Sequence, residues 1–119
     1  MEIRLEFTFD AAHFFADKPP EHIYRRVHGH SFRAVVGVTG VPDPVTGFVV
    51  DFAELDAAIA AVRDTLDHSL LNEVEGLTSP SLENLAVWIW GRLKPQFSHL
   101  SRVELHRDSR GQSCIYTGA

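Results

Sequence analysis

Three histidines have a spacing that could bind a metal ion. His28 and His30 are separated by one glycine, and a polar segment separates them from His13. Residues two apart in an extended strand point to the same side, so the imidazoles of His28 and His30 are expected to lie side by side. Imidazole nitrogen is a good zinc ligand, and three protein ligands with one open position are typical of catalytic zinc sites.

The spacing alone leaves a second interpretation open, because a His-x-His pair also occurs by chance in proteins without a metal. Gly29 leaves room for the close approach of a metal or a substrate, or it serves a local kink of the backbone. The pattern therefore indicates a zinc site at residues 13, 28 and 30 without excluding packing histidines.

Composition limits the partners of this chain. Its 119 residues include 16 acidic and 11 basic side chains without a long run of either sign, so a nucleic-acid partner is not expected. No apolar stretch is long enough for a signal peptide or a membrane span, which favours a cytoplasmic protein without a membrane partner. Cys114 is the single cysteine and cannot form an internal disulfide. One domain over 1–119 with one small-molecule site is expected.

Hydrophobic periodicity predicts two strands at the start of the chain. Apolar and polar residues alternate strictly over 2–10, the pattern of a half-buried strand. A second strand, rich in β-branched residues, is predicted from 30 to about 41. The segment 14–27 breaks every period and contains two prolines, so it is expected to form a surface loop.

Two amphipathic helices follow these strands. The first is expected to begin after its cap Asp51 and to end near 67–68. Its apolar stripe falls at steps of three and four residues and consists of Phe52, Leu55, Ile59, Val62 and Leu66. Ser79 is expected to cap a second helix at about 80–93, with Pro80 in its first turn.

Two short strands, 101–107 and 112–117, are predicted around a turn at 108–111. The order ββααββ predicts an α+β fold in which both helices cover one face of a four-stranded antiparallel sheet. By parity, the three histidines could all face the helix-covered layer. Such a sheet has two open edges, which proteins seldom tolerate, so pairing with neighbouring subunits is expected.

Five short motifs occur in order along nearly the whole chain: FDAAH at 9–13, VHGHSF at 27–32, VDF at 50–52, LDHSLLN at 66–72 and SLENLA at 81–86. Together they resemble the 6-pyruvoyl-tetrahydropterin synthase family, and more closely its bacterial branch, the 6-carboxy-tetrahydropterin synthases of queuosine and 7-deazapurine biosynthesis. The resemblance implies a tunnelling fold (T-fold), in which three subunits form a β-barrel and two trimers stack into a homohexamer.

The resemblance also implies a lyase whose zinc ion is held by His13, His28 and His30. In the family, zinc orients the side-chain hydroxyls of dihydroneopterin triphosphate and acidifies a carbon-bound proton, a Lewis-acid role. The LDHSLLN motif implies that His68 accepts or donates a proton while Asp67 orients its imidazole. A histidine stabilised by the helix dipole is the alternative for His68.

The resemblance further suggests substrate-binding residues. Arg26 matches the bacterial pattern and, with Arg25, could hold a triphosphate, although an exposed pair of loop arginines is an equal alternative. Glu83, in the SLENLA motif, is also expected to bind substrate. Cys114 matches a different family position and is not expected to act as a base.

The chain departs from the family at two positions. Synthases carry a cysteine four residues before the first histidine of the HGH motif, where its thiolate removes the substrate proton, but here that residue is Tyr24. A phenol has a reference pKa of about 10 and is a poor base, although a nearby zinc or cation lowers that value. The family's glutamate, which binds the guanidine-like edge of the pterin, is replaced by Arg107 or, with a shifted alignment, by Asp108. Asp108 could still serve, whereas Arg107 would repel this edge.

The sequence therefore predicts a zinc-dependent lyase that acts on dihydroneopterin triphosphate or a related reduced pterin, with weak or absent standard synthase activity. Tyr24 is expected to act as an acid, as a stacking surface, or not at all. Two alternatives remain open: a paralogue that cleaves the side chain or uses another substrate, and a zinc-bearing binding or assembly protein without catalysis.

Overall fold

Four strands form one antiparallel sheet, in the order β1-β2-β3-β4, in a computed structural model that describes residues 1–118. The strands and helices are β1 (Glu2–His13), β2 (His28–Thr39), α1 (Phe52–Leu66), α2 (Leu82–Leu93), β3 (Leu100–Arg107) and β4 (Gln112–Tyr116). Short 3-10 turns occupy Ile23–Arg25, Leu71–Glu73 and Asp108–Arg110. The predicted α+β order and the single antiparallel sheet are confirmed.

β1 and β2 pair without a bulge, and at one end of their ladder His13 lies directly opposite His28. β1 extends to His13, beyond the predicted 2–10. Its C-terminal end is stabilised by β2 on one edge and by a hydrogen bond to the segment after α1 on the opposite edge. There the Ala12 N–H donates to the carbonyl of Ser69 over 2.9 Å. β2 likewise begins at His28 and not at residue 30. All three histidines therefore belong to regular strands, whose pleat fixes the direction of their side chains.

The cap of α1 is the predicted one. The carboxylate of Asp51 accepts a hydrogen bond from the Ala53 N–H at 2.8 Å, which satisfies one of the free donors of the first turn. Phe52, which the period places on the apolar stripe, is 45% exposed. The stripe that is buried in the core consists of Leu55, Ile59, Val62 and Leu66.

The start of α2 differs from the prediction. Ser81, and not Ser79, is the cap, and its Oγ accepts from the Asn84 N–H at 3.2 Å. The Asn84 side chain donates to the Ser79 carbonyl at 2.8 Å, so both serines take part in the turn but only one with its hydroxyl. Pro80 consequently lies outside the helix, and its carbonyl is free to accept from His13. Either serine satisfies the capping preference, so the sequence alone could not decide between them.

Both helices cover the same face of the sheet. The core lies between the helices and the inward positions of the strands, among them Phe9, Phe32, Ala34, Val36 and Leu105. The opposite face is charged, and at its centre Glu104, only 8% exposed, accepts from His106 over 2.8 Å and contacts Arg102 at 3.3 Å. Within residues 1–118, no helix has the length and apolar character needed to cross a membrane.

Candidate metal centre and adjoining cavity

His13, His28 and His30 converge at one end of the β1-β2 pair. One nitrogen of each ring lies within 4.8 Å of the corresponding nitrogens of the other two. The ring centroid of His13 is 4.6 Å from that of His28 and 5.1 Å from that of His30. His13 is completely buried, an unusual environment for a titratable ring. The strand pairing brings these side chains together, because His13 and His28 are cross-strand partners and His30 follows on the same face.

Hydrogen bonds to backbone carbonyls fix the tautomers of two of the three rings. Nδ1 of His13 donates to the Pro80 carbonyl at 2.9 Å, and Nδ1 of His28 donates to the Arg26 carbonyl at 2.7 Å. Since a carbonyl only accepts, these bonds place the proton on Nδ1 and leave the lone pair on Nε2, as second-shell partners of zinc-binding histidines do.

Nε2 of His13 and Nε2 of His30 are buried without a hydrogen-bond partner within residues 1–118. An unsatisfied buried polar atom costs about 1–3 kcal/mol, so its occurrence at two neighbouring rings requires an explanation. A zinc ion bound by Nε2 would satisfy both atoms, and three imidazoles are a donor set that zinc accepts. The residues present therefore fit the zinc ion that the resemblance implies.

Burial disfavours the charged forms of His13 and His30. The pKa of His30 is lowered to about 4, chiefly because burial disfavours the charged ring and also because of the positive charges of His13 and Arg107. Burial likewise lowers the pKa of His13, and the bond to Pro80 only partly opposes it. Neutral imidazoles have the lone pairs that metal binding requires, so His13 and His30 are prepared to bind a cation near neutral pH.

A cavity of about 640 Å³ opens beside the centre, in the volume range of small-molecule sites. His28 and His30 form part of its wall, so a metal bound there would be reachable from the cavity. The remaining wall combines aromatic, acidic and basic side chains, including Phe15, Tyr24, Glu83, Arg107 and Arg110.

Tyr24 lines the cavity from the 3-10 turn that precedes β2. The turn is tied down by a 2.8 Å bond from the Phe15 N–H to the Tyr24 carbonyl. The Tyr24 ring centroid lies 5.9 Å from that of Phe15 and 6.4 Å from that of His28. The side chain that replaces the family's cysteine thus faces the same cavity as the histidines.

Arg107 and Asp108 point to different sides of the sheet. Arg107 ends β3 on the helix-covered side and lines the cavity. Asp108 lies outside it, where its carboxylate accepts two hydrogen bonds from Arg33 at 2.9 and 3.2 Å. These bonds lower the pKa of Asp108. Of the two residues that the sequence offered as ring anchor, only the cation is in the cavity, and Glu83 from the first turn of α2 supplies a carboxylate there.

Asp67 and His68 lie outside the main cavity within one chain. Asp67 follows the last residue of α1, and its carboxylate accepts from the Asp10 N–H at 2.9 Å and from Nδ1 of His68 at 3.0 Å. The bond from Asp10 is the main reason why the pKa of Asp67 is lowered. The His68 side chain is 81% exposed and borders a second, more open cavity that shares only Gly29 and His30 with the first.

The two loop arginines also lie away from the cavity wall. Arg26 is exposed and contributes its carbonyl to His28, while the Arg25 guanidinium donates to the Lys18 carbonyl at 2.9 Å. The wall instead contains Lys18 and Arg110, two cations that the sequence did not single out. No local pattern marks them, because their position depends on how two distant loops fold over the end of the sheet.

Comparisons with known proteins identify the family of this chain. Residues 2–119 match the family model of 6-pyruvoyl tetrahydropterin synthase. The chain is 42% identical over 96 residues to a 6-carboxy-5,6,7,8-tetrahydropterin synthase of Synechocystis sp., covering 75% of this chain and 71% of that protein. It is 38% identical over 87 residues to a dihydroneopterin monophosphate aldolase of Pyrococcus furiosus, covering 73% of this chain and 69% of that one.

Among solved structures, the 6-pyruvoyl tetrahydropterin synthase of Caenorhabditis elegans superimposes with a TM-score of 0.89 at 26% sequence identity. The superposition covers 100% of this chain and 96% of that one. The T-fold implied by the motifs is thereby confirmed for the single chain. The chain belongs to the 6-pyruvoyl tetrahydropterin synthase family, whose members named here process pterins.

Proposed function

We propose that this chain is a zinc-dependent lyase that acts on dihydroneopterin triphosphate or a related reduced pterin. The observation that carries the proposal is the convergence of three histidines, two of them with unsatisfied buried Nε2 atoms, at the wall of a 640 Å³ cavity. The relatives support the substrate class, since they include a pterin synthase and a pterin aldolase. We place the enzyme in the cytoplasm as a homohexamer.

Zinc held by His13, His28 and His30 would act as a Lewis acid towards the hydroxyls of the pterin side chain. The ring of the substrate then lies deeper in the cavity. Glu83 is the residue proposed to hold its guanidine-like edge, because a carboxylate accepts two parallel hydrogen bonds from such a group. Asp108 is unsuited to this role, since its carboxylate is engaged by Arg33 outside the cavity.

His68 and Asp67 are the proposed acid-base pair. The 3.0 Å contact between Asp67 Oδ2 and Nδ1 of His68 fixes one ring nitrogen and leaves the other free to exchange protons. Because His68 is exposed and outside the main cavity of its own chain, the proposal requires a neighbouring subunit to present it to the cavity. The outer edges of β1, away from the contact of Ala12 with Ser69, and of β4 are where such a neighbour would join the sheet.

The standard synthase reaction should be weak, because Tyr24 stands where the family's thiolate removes a carbon-bound proton. The test is turnover of the zinc-loaded protein on dihydroneopterin triphosphate, with products separated by chromatography. The parent and a Tyr24→Phe control should yield little or no 6-carboxy or 6-pyruvoyl product, whereas Tyr24→Cys should yield more of one of them. Rapid synthase turnover by the parent would show that the missing thiolate does not disable the family reaction.

A second candidate is aldol cleavage of the pterin side chain, favoured by the resemblance to the Pyrococcus aldolase and by the phenol at position 24. In this reaction a base removes the proton of the second side-chain hydroxyl, and the bond between the first and second side-chain carbons breaks. The outer fragment leaves as an aldehyde, and the carbon attached to the ring takes up a proton. His68 is suited to remove the first proton and Tyr24 to donate the second.

Incubation with dihydroneopterin monophosphate distinguishes this candidate from the first. Cleavage predicts a 6-hydroxymethyl pterin together with a phosphorylated two-carbon aldehyde, which can be trapped as a hydrazone. Tyr24→Phe should slow the reaction, and Tyr24→Cys should not improve it. Zinc binding without conversion of either pterin would favour a binding or assembly role for this chain.

A further inference from the structure

Arg107 is a cation without an ionic partner among the residues that the structure describes. Within residues 1–118 no carboxylate lies within salt-bridge distance of its guanidinium, and its Nε is buried without a hydrogen-bond partner. The other arginines of the sheet are all paired with carboxylates: Arg4, Arg33 and Arg102. Burial lowers the pKa of Arg107, which is the signature of a charge that is poorly compensated.

The cavity around Arg107 is positively charged as a whole. Its wall contains the cations Lys18, Arg107 and Arg110 and the carboxylates Asp17 and Glu83. The three cations outnumber the two carboxylates, so the wall has an excess of positive charge, and a bound zinc ion would add to it. Charges at the wall of a concave site act more strongly than on an open surface, because less water screens them.

A guanidinium has five donors and no acceptor, so only acceptor groups can satisfy it. Its planar fork fits a phosphate or a carboxylate with two parallel hydrogen bonds, whereas it repels the guanidine-like edge of a pterin. Glu83 shares the cavity with Arg107 without a salt bridge between them. The wall therefore offers Glu83 to a donor edge of a ligand and Arg107 to an anionic group at another end of the same ligand.

We propose that Arg107, assisted by Arg110, binds an oxyanion carried by the substrate, and that this contact selects anionic pterins over neutral ones. The inference deepens the proposed function, on which its pterin part rests, by naming the substrate class of the same cavity. Arg25 and Arg26, the arginines that the motif suggested for a triphosphate, lie outside the cavity wall. The anion is either a phosphate or a carboxylate, two groups of the same hydrogen-bonding chemistry.

Fluorescence titration of the zinc-loaded full-length protein tests this with four pterins that share one ring. Neopterin has an uncharged side chain, neopterin monophosphate and triphosphate carry phosphate, and 6-carboxypterin carries a carboxylate. The parent should bind at least one anionic ligand roughly tenfold or more tightly than neopterin, the scale of one charge-assisted hydrogen-bonded contact. Whether the phosphates or the carboxylate gain most identifies the source of the anion.

Arg107→Gln should remove this preference and leave neopterin binding within about twofold of the parent, since one charged contact is lost. Arg92→Gln is the matched control, because it removes the same charge from a guanidinium that lies over the Trp88 ring, 4.6 Å from its centroid, outside the cavity. Zinc content and melting temperature are measured for each variant. If Arg107→Gln does not fold, Arg110→Gln should show a smaller loss of the same preference.

Calorimetry with inorganic pyrophosphate alone separates this inference from the proposed function. If the parent binds pyrophosphate but no pterin, and Arg107→Gln weakens the binding of pyrophosphate, the anion site is supported and the pterin lyase is refuted. If anionic and neutral pterins bind with equal affinity, or if the parent and Arg107→Gln bind them equally, the anion site is refuted. The proposed function is unaffected by either result.

Discussion

At the residue scale, backbone carbonyls orient two of the three histidines, since Pro80 accepts from His13 and Arg26 accepts from His28. The HGH motif and His13 could be recognised in the sequence, because strand parity already places their rings on one side. The contact of His13 with the Pro80 carbonyl could not be predicted from the sequence, because Pro80 is 67 residues away. The conformation of its segment depends on the start of α2. The choice between Arg107 and Asp108 was also undecidable, because neighbouring residues at the end of a strand point to opposite faces.

Removal of one ligand should abolish the metal centre. In His13→Ala the remaining two imidazoles offer too few ligands for a stable zinc site, so less than stoichiometric zinc should remain after dialysis. His99→Ala changes an exposed histidine and should retain the parent's zinc content. Elemental analysis by mass spectrometry measures both. Full zinc occupancy in His13→Ala would place the metal elsewhere.

The buried histidines also predict how stability depends on pH in the metal-free protein. Their pKa values are lower in the folded state than the unfolded value of about 6.5, so the unfolded state binds more protons below that pH. The free energy of unfolding should therefore fall as pH decreases from 6.5 towards 4. His30→Gln, which cannot be protonated, should show a shallower decline in urea titrations at each pH. Equal slopes for the parent and the variant would contradict this assignment.

At the element scale, the motif residues are positioned by strand pairing and helix caps. The order of elements and the cap of α1 could be predicted, because period and capping preference are local properties. The continuation of β1 to His13 could not be predicted, because it depends on the pairing with β2 and on the bond to Ser69 at the opposite edge of β1. The start of α2 was misplaced because two serines compete for one cap, and only tertiary contacts decide between them.

A pair of serine variants tests the start of α2. Ser81→Ala removes the hydroxyl that accepts from Asn84 and should lower the free energy of unfolding by about 1 kcal/mol, typical of a lost cap. Ser79→Ala should cost less, because Ser79 contributes only its carbonyl to this turn. Chemical denaturation of the two variants provides the comparison. A larger loss for Ser79→Ala would support the helix start that the sequence suggested.

At the scale of the whole molecule, one chain is an incomplete enzyme under this proposal. Its sheet has one charged face without helices, and the edge strands are β1 and β4. Its proposed acid-base pair lies outside its own main cavity. The sequence predicted subunit pairing from the open edges, but no sequence pattern reveals which copy would supply His68.

Light scattering coupled to size-exclusion chromatography should give a mass about six times the 13.3 kDa of one chain. Two inactive variants, His13→Ala and His68→Ala, should recover activity when they are unfolded together and refolded as mixed oligomers, since some cavities then combine intact residues from two chains. Each variant refolded alone is the control. A monomeric parent would contradict the proposed hexamer. Mixtures that remain inactive would contradict a cavity that is completed by His68 of a neighbouring chain.

Titration of the metal-free protein with zinc, while consumption of a reduced pterin is followed, tests the central claim most directly. The proposal predicts that pterin consumption rises linearly and stops rising at one zinc ion per chain. It also predicts no consumption at any zinc concentration for His13→Ala and stoichiometric zinc without turnover for His68→Ala. Pterin consumption that is independent of zinc, or that persists in His13→Ala, would contradict a zinc lyase built on these three histidines.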